Sequence, residues 1–406
     1  MSLFIDRYQV KRLIGQGSMG RVYLGFDPKV GRQVAIKVLT TNADEEAIRR
    51  FRLEARAIAA LKHPNIVELY DFSGEKVADL FLVMEYVSGP SLDALVRQNG
   101  NTSEPTALCI GHELCLALTH AHNNQIVHRD IKPENVLLHQ GRVVLSDFGI
   151  VKAVASSSSL GITTVRTQTR IMGTPGFMAP EQFSGKQIDH RTDIFSLGAL
   201  LYCITTGKLP FEGRTVDDIY HNLKNARVQP VREINPLLSP GFADLVERCL
   251  DSRPKARPQS AQEVRAKILA VLPSHGVTEV RQELALYEAN PAGYAIEQRQ
   301  RSINVLLRDL KVALKDRDHG VADSIMSWLK TLAPLDKRLP SLVMDHKQLH
   351  KNSDRFLQVM LWIALALLVG VALGALGAAI FDLRAALPRS FISTTNKIIK
   401  WLTSRF

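Results

Sequence analysis

A small β-rich lobe followed by a larger α-rich lobe, an α+β arrangement, is what the residue pattern of this 406-residue chain predicts. Three observations carry that expectation. The first 85 residues alternate apolar and polar positions in the runs "YQVKRLIG", "RVYLGFD", "QVAIKVL" and "FLVMEYV", with one helical stretch, "EEAIRRFRLEARAIAALK". From Ser91 to about Leu272 the apolar residues recur at helical spacing. Val359 to Phe381, "VMLWIALALLVGVALGALGAAIF", holds 23 residues without a charge.

The elements follow in order. The β-rich runs and their helix make a small, mostly antiparallel lobe. The helical lobe is interrupted by "HRDIKPEN" at 128–135, by "VVLSDFG", and by a Ser/Thr-rich stretch from Ala155 to Thr174. Residues 273–355 are helical in periodicity and mixed in charge, broken by "NPAG" and "LAPLDKRLP"; they are expected to be a juxtamembrane helical region or a stiff linker. As a helix the apolar run at 359–381 would be about 34 Å long, enough to cross a hydrocarbon core of about 30 Å, so it is expected to be one transmembrane helix. A tail at 382–406 follows, and no internal repeat is evident.

Composition narrows the function classes. Net charge is +11, which favours anionic partners such as phosphates or lipid head groups. There is no zinc-finger spacing and no dense basic run, so nucleic acid is not an expected partner. Cys109, Cys115, Cys203 and Cys249 lie in apolar helical patterns without CxxC pairs and read as reduced, buried residues of a cytosolic domain. The first residues, "MSLFIDRYQV", lack the basic and apolar regions of a cleavable signal.

The chemistry lies in a series of short motifs. "GQGSMGRV" sets Gly15, Gly17 and Gly20 between two strand-like runs, where absent side chains let backbone N–H groups approach phosphate oxygens. A dinucleotide-binding version would need a helix directly afterwards, and "RVYLGFD" is strand-like. "VAIK" places Lys37 at the end of an alternating strand. The following helix has Ile48, Phe51, Ala55 and Ile58 on one face with Glu54 beside them, and a carboxylate there wants a cation, for which Lys37 is available. "HRDIKPEN" is a dense polar loop between two apolar stretches, the kind of loop that carries function. "VVLSDFG" then gives Asp147, and "GTPGFMAPEQ" contains Glu181.

In this order and spacing, the set from Tyr8 to about Leu272 resembles the Hanks-type protein kinase family, most closely its bacterial serine/threonine branch. The resemblance implies a bilobal protein-kinase fold and assigns expected roles. Gly15, Gln16, Gly17, Ser18, Met19, Gly20, Val22, Ala35 and Lys37 would bind ATP, with Lys37 oriented by Glu54. Met84 would be the gatekeeper, and Glu85 to Val87 the adenine-binding hinge through backbone groups. Asn135 and Asp147 would hold Mg2+, with Mn2+ as an alternative ion. Asp130 would accept the proton of the substrate hydroxyl, and Lys132 would neutralise charge on the transferred group. Glu181 and Arg257 match a buried structural ion pair, and Lys132 with Thr174 is the serine/threonine form. Protein Ser/Thr hydroxyls are the implied substrates.

Regulation is expected too. Arg129 beside Asp130 is costly to bury without an anion, and the family's usual anion is a phosphothreonine of the activation segment; the candidates are Thr167 and Thr169, then Thr163 and Thr164. The apolar run is expected to anchor the chain in the inner (plasma) membrane as a single pass, with the kinase domain cytoplasmic. Gly370, Gly374 and Ala378 at GxxxG spacing suggest a homodimer, and Phe391, Ile398, Trp401 and Leu402 could lie along a membrane surface. Two other readings stay open: a nucleotide-dependent scaffold, against which intact Lys37, Asp130 and Asp147 speak, and a small-molecule kinase, against which the complete "APE" segment speaks.

Overall fold

The computed structural model describes residues 3–17, 20–39, 45–73, 80–148, 175–184, 188–213, 215–224, 228–346, 358, 360–365, 367–369, 400–401 and 404. The chain divides into two compact units, Met1–Asp309 with Ser327–Pro334, and Leu310–Met326 with Leu335–Phe406.

The first unit begins with a six-stranded sheet of β1 (Phe4–Ile5), β2 (Tyr8–Gly17), β3 (Gly20–Asp27), β4 (Arg32–Leu39), β5 (Leu69–Phe72) and β6 (Phe81–Glu85), in the order β1-β2-β3-β4-β6-β5. The helix α1 (Glu45–Ala59) lies between β4 and β5 in sequence. Strand β4 pairs antiparallel with β3 in unbroken register from Gly20↔Leu39 to Asp27↔Arg32. Side chains two apart share a face. Val34 and Ile36 therefore pack with Tyr8, Phe81 and Val83 in one cluster, while Ala35 and Leu39 join the main core on the other side. Lys37 follows the parity of Ala35, so the register alone aims it at that second face. On α1, Phe51, Ala55 and Ile58 form the expected buried stripe that packs there, completed by Ala47, while the expected Ile48 is only partly buried.

The helical part follows: α2 (Leu92–Asn99), α3 (Glu104–Asn123), the hairpin β7 (Val136–His139) and β8 (Arg142–Leu145), α4 (Pro180–Ser184), α5 (Arg191–Thr206), α6 (Val216–Lys224), α7 (Val231–Ile234), α8 (Pro240–Cys249), α9 (Ala261–Val271), α10 (Val280–Ala289), α11 (Pro291–Asp316) and α12 (His319–Leu332). Ser91, Ser103, Ser239 and Ser260 cap four of these helices, each hydroxyl accepting from a backbone N–H three residues on. Helices α3 and α5 are buried over most of their circumference and form the centre of the core. All four cysteines are free thiols; Cys109, Cys115 and Cys249 are buried, as expected, and Cys203 is partly exposed.

Residues expected to be a juxtamembrane region or linker include α10 and α11. Leu284, Tyr287 and Tyr294 join the same buried cluster as Leu108 and Cys109 of α3. In the second unit, His346 pairs with Asp323 at 2.9 Å. No helix among the described residues is long and apolar enough to cross a membrane. Of the expected span, residues 360–365 and 367–369 are described; they are helical, and Leu361, Trp362, Leu367 and Leu368 are exposed. The rest of the span, with Gly370, Gly374 and Ala378, and Phe391, Ile398 and Leu402 of the tail lie outside the described residues, as do Ser18, Met19, Thr163, Thr164, Thr167, Thr169 and Thr174.

Candidate active site

The loop 128–135 is held by one carboxylate from the middle of the core. Asp193, fully buried on α5, accepts from the backbone N–H of His128 and of Arg129, and from His122 Nε2, each at 2.8 Å. Burial would raise its pKa, but the hydrogen bonds from His122 and the His128 backbone outweigh it and hold the carboxyl below its usual range. That anchoring supports a costly backbone at Arg129, which sits at φ 66°; Asp147, at φ 58°, is a second non-glycine residue with a left-handed value. The sequence reading missed Asp193. Its signal was a carboxylate inside the apolar helix "DIFSLGALLY", where a buried charge must find partners.

His128 is itself fully buried and links the two motifs. Its Nε2–H donates to the Ser146 carbonyl at 2.9 Å and its Nδ1 accepts the Asp130 N–H at 3.2 Å, an arrangement that requires the neutral ring. Burial lowers its pKa in keeping with that tautomer, despite the opposing pull of Asp193. Its ring lies 4.4 Å from that of Phe148.

The loop then presents its polar side chains together. Asn135 Nδ2 donates to the Asp130 carbonyl at 2.8 Å and to Asp130 Oδ2 at 3.1 Å. Lys132 Nζ lies 3.3 Å from the same Oδ2. The Asn135 carbonyl accepts the Ser146 N–H at 2.8 Å, tying the start of β7 to the residue before Asp147. Lys37 Nζ donates to Asp147 Oδ1 at 2.6 Å.

That last contact corrects one expectation. Lys37 pairs with Asp147 and not with Glu54. The charges acting on Glu54 are the guanidiniums of Arg129 and Arg50, and burial raises its pKa against their pull. A single ammonium on a strand end can face either carboxylate, and in this conformation the nearer one is Asp147.

A cleft of ≈ 430 Å³ opens beside these groups. Its walls include Ile14, Gly15, Val22, Ala35, Leu137 and Asp147, and its inner edge is Met84 to Ser88. Gly20 closes the turn after β2 at φ +148°, and a Cβ there would come within 2.1 Å of the Val38 carbonyl, so only glycine fits. Gly17 pairs with Gly20 and Gln16 with Arg21 across the same β2–β3 hairpin. The Glu85 side chain is engaged elsewhere, accepting from both terminal nitrogens of Arg142 at 2.6 and 3.2 Å, and its N–H donates to the Glu68 carbonyl at 2.8 Å. The apolar walls suit a flat aromatic base. Asn135, whose Nδ2 is committed to Asp130, has its amide oxygen to offer, and Asp147 has a second carboxylate oxygen. Two hard oxygen donors fit a magnesium ion that completes its shell with phosphate and water. No self-sufficient cluster of metal-binding side chains occurs among the described residues.

Remote from the cleft, Arg257 and Glu181 form the expected buried pair at 2.7 and 2.9 Å, and Thr192 also donates to Glu181 at 2.8 Å.

A two-lobed scaffold with a glycine hairpin, a strand lysine paired to a carboxylate of the cleft wall and an Asp–Lys–Asn loop tied to that same wall defines a phosphate-transferring class of protein. Comparison agrees: residues 8–268 match the protein kinase domain, and the chain belongs to that family. It is 36% identical over 278 residues to the serine/threonine-protein kinase PrkC of Bacillus subtilis, covering 68% of this chain and 42% of that protein. It is 37% identical over 275 residues to the serine/threonine-protein kinase PknB of Mycobacterium leprae, covering 66% and 43%. The chain thus spans less than half the length of either relative. The crystal structure of the Mycobacterium tuberculosis PknI kinase domain superposes with a TM-score of 0.53 at 26% identity, over 66% of this chain and 97% of that one.

Proposed function

We propose that this protein is a membrane-anchored serine/threonine protein kinase that transfers the γ-phosphoryl group of ATP to Ser/Thr hydroxyls of proteins. The observation that carries this reading is the linkage of Asp147, which lines the cleft and takes the Lys37 ammonium, to Asp130 and Lys132 through Asn135, whose carbonyl holds the cleft residue Ser146. ATP is the phosphoryl donor, and Asn135 and Asp147 would hold a divalent ion that would supply charge neutralisation at its phosphates. Asp130 accepts the proton of the attacking hydroxyl; the Asn135 amide fixes its orientation, and Lys132 balances the developing negative charge. Lys37 exchanges Asp147 for the α- and β-phosphates, and Glu54 is then the carboxylate available to steady it. The Lys37–Glu54 pairing and the roles of Gly15, Gln16, Ser18, Met19, Val22, Ala35 and Val87 rest on the family resemblance.

The same resemblance supports activation by phosphorylation at Thr167 or Thr169, with Thr163 and Thr164 behind them. Membrane anchoring rests on the uncharged run at 359–381 and the exposed apolar side chains of its described part. With the catalytic lobes on the cytoplasmic side, a single pass would put Ser404 across the membrane, and GxxxG spacing favours a homodimer. The test is ATP-dependent labelling of a generic basic protein by the full chain. Asp130→Asn is expected to lower the rate by about 10²–10⁴-fold with unchanged thermal stability. Near-normal turnover in that variant would sink the reading, and labelling of a cysteine placed at Ser404 decides the topology.

A further inference from the structure

The matched kinase domain ends at residue 268, yet α10, which begins twelve residues later, sits on the hairpin that joins the two halves of the site. The β7–β8 hairpin follows Asn135 directly, and Asp147 comes two residues after its end. Its turn is Gln140-Gly141, both at positive φ. The Gly141 N–H donates to Glu288 Oε2 of α10 at 2.9 Å. A Cβ at Gly141 would come within 2.4 Å of the Arg281 carbonyl and 3.1 Å of Ala285, so the helix rests directly on the turn.

The strand after the turn is held from the same helix by a second route. Arg281 Nε donates to Glu113 Oε2 of α3 at 3.2 Å. That oxygen also accepts Asn65 Nδ2 at 2.7 Å, and the same Nδ2 donates to the Val143 carbonyl of β8 at 2.7 Å. The Asn65 carbonyl accepts the Leu145 N–H at 2.9 Å, two residues before Asp147. Glu113 is buried, which alone would raise its pKa; hydrogen bonds from His112, Asn65 and Arg281 win and keep it ionised. Helix α10 is in turn fastened by α11. Glu283 accepts from Tyr294 at 2.8 Å and pairs with Arg301, while buried His275 bridges Glu104 of α3 and Ser302 of α11 at 3.0 Å each.

We propose that α10 is a positioning element for the metal-holding residues: Glu288 and Arg281 clamp the β7–β8 hairpin, and through it set Asn135 and Asp147. The proposal rests on the kinase reading for what those two residues hold. Neither Glu288 nor Arg281 touches the cleft, so both are positioning residues, and the experiment needs readouts besides turnover.

The full chain and its Glu288→Ala, Glu288→Gln and Glu288→Ala/Arg281→Ala variants are compared in two measurements. Backbone hydrogen exchange at residues 138–145 reports the clamp without reference to activity. Equilibrium affinity for a fluorescent ATP analogue, titrated with magnesium, reports the metal-holding residues. Glu288→Ala is expected to speed hairpin exchange by about tenfold, the worth of one hydrogen bond to a charged group, and to raise the magnesium needed for half-maximal affinity several-fold. Glu288→Gln, whose amide oxygen still accepts from Gly141, is expected to restore most of both. Unchanged hairpin exchange in the double variant overturns the clamp. Faster exchange with an unchanged magnesium requirement overturns its link to Asn135 and Asp147. A wild-type chain that binds no magnesium nucleotide defeats the kinase reading instead, and the exchange data still decide whether α10 restrains the hairpin.

Discussion

Two ion pairs of nearly equal length, Arg257 with Glu181 at 2.7 Å and Lys37 with Asp147 at 2.6 Å, behave as opposites. The side chains of the first are 0% and 6% exposed, and those of the second 10% and 32%. Arg257 also donates to the backbone carbonyls of Asp251 and Arg191, so each of its nitrogens is committed. Lys37 makes one contact to a carboxylate that solvent reaches, with Glu54 as a second carboxylate on the neighbouring helix. A pair with every donor satisfied has one arrangement. A pair at the edge of a cleft can exchange partners, which a cation that must receive phosphate oxygens requires. The difference lies in burial and in the count of hydrogen bonds, since the charges are the same.

Removing one member of each pair sharpens the contrast. Arg257→Ala strands the Glu181 carboxylate in the core and is expected to cost about 3–5 kcal/mol of unfolding free energy. Denaturant unfolding that shifts by less than about 1 kcal/mol would show that the pair is not structural. Lys37→Met should do the reverse: a fall in phosphoryl transfer of about 10²–10³-fold from the loss of one charged donor, with unfolding changed by less than about 1 kcal/mol because solvent reaches the Asp147 carboxylate left behind. Initial rates and melts of one preparation check both halves of that statement.

Acid separates the regions more gently. The Glu181 pKa is held down because the Arg257 hydrogen bonds outweigh the burial that would raise it. Its contribution is therefore present above the unfolded value of 4.5 and lost only as pH falls through the lower folded value. His128 is also depressed, by burial, so the unfolded chain takes up its proton first and stability falls as pH drops below about 6.5. The slope it contributes there is about 1.4 kcal/mol per pH unit at most. Unfolding measured from pH 7.5 to 5.5 should show this loss while the Arg257 pair is untouched. An NMR titration of the His128 ring with its midpoint at the ordinary histidine value would refute it.

The motifs were legible because their chemistry is local. HRDIKPEN fixes Asp130, Lys132 and Asn135 within six residues, and the loop's hydrogen bonds are as short in sequence as the motif itself. The stripe on α1 and the alternation in β4 likewise follow from the helical and strand periods, which is why Lys37 was placed correctly on a strand. Its partner was not. Choosing between Glu54 and Asp147 depends on where α1 sits relative to β8, and no spacing records that.

The sequence alone determined the family, the order of the lobes and part of the cleft wall, namely Gly15, Val22, Ala35, Met84 and Asp147, because short-range spacing and side-chain chemistry are written in the chain itself. Tertiary structure alone decided three pairings. Lys37 meets Asp147 across 110 positions, Asp193 reaches His128 across 65, and Glu288 meets Gly141 across 147. Each depends on how separately formed elements pack, and a buried carboxylate or a turn N–H takes the partner that packing brings within reach.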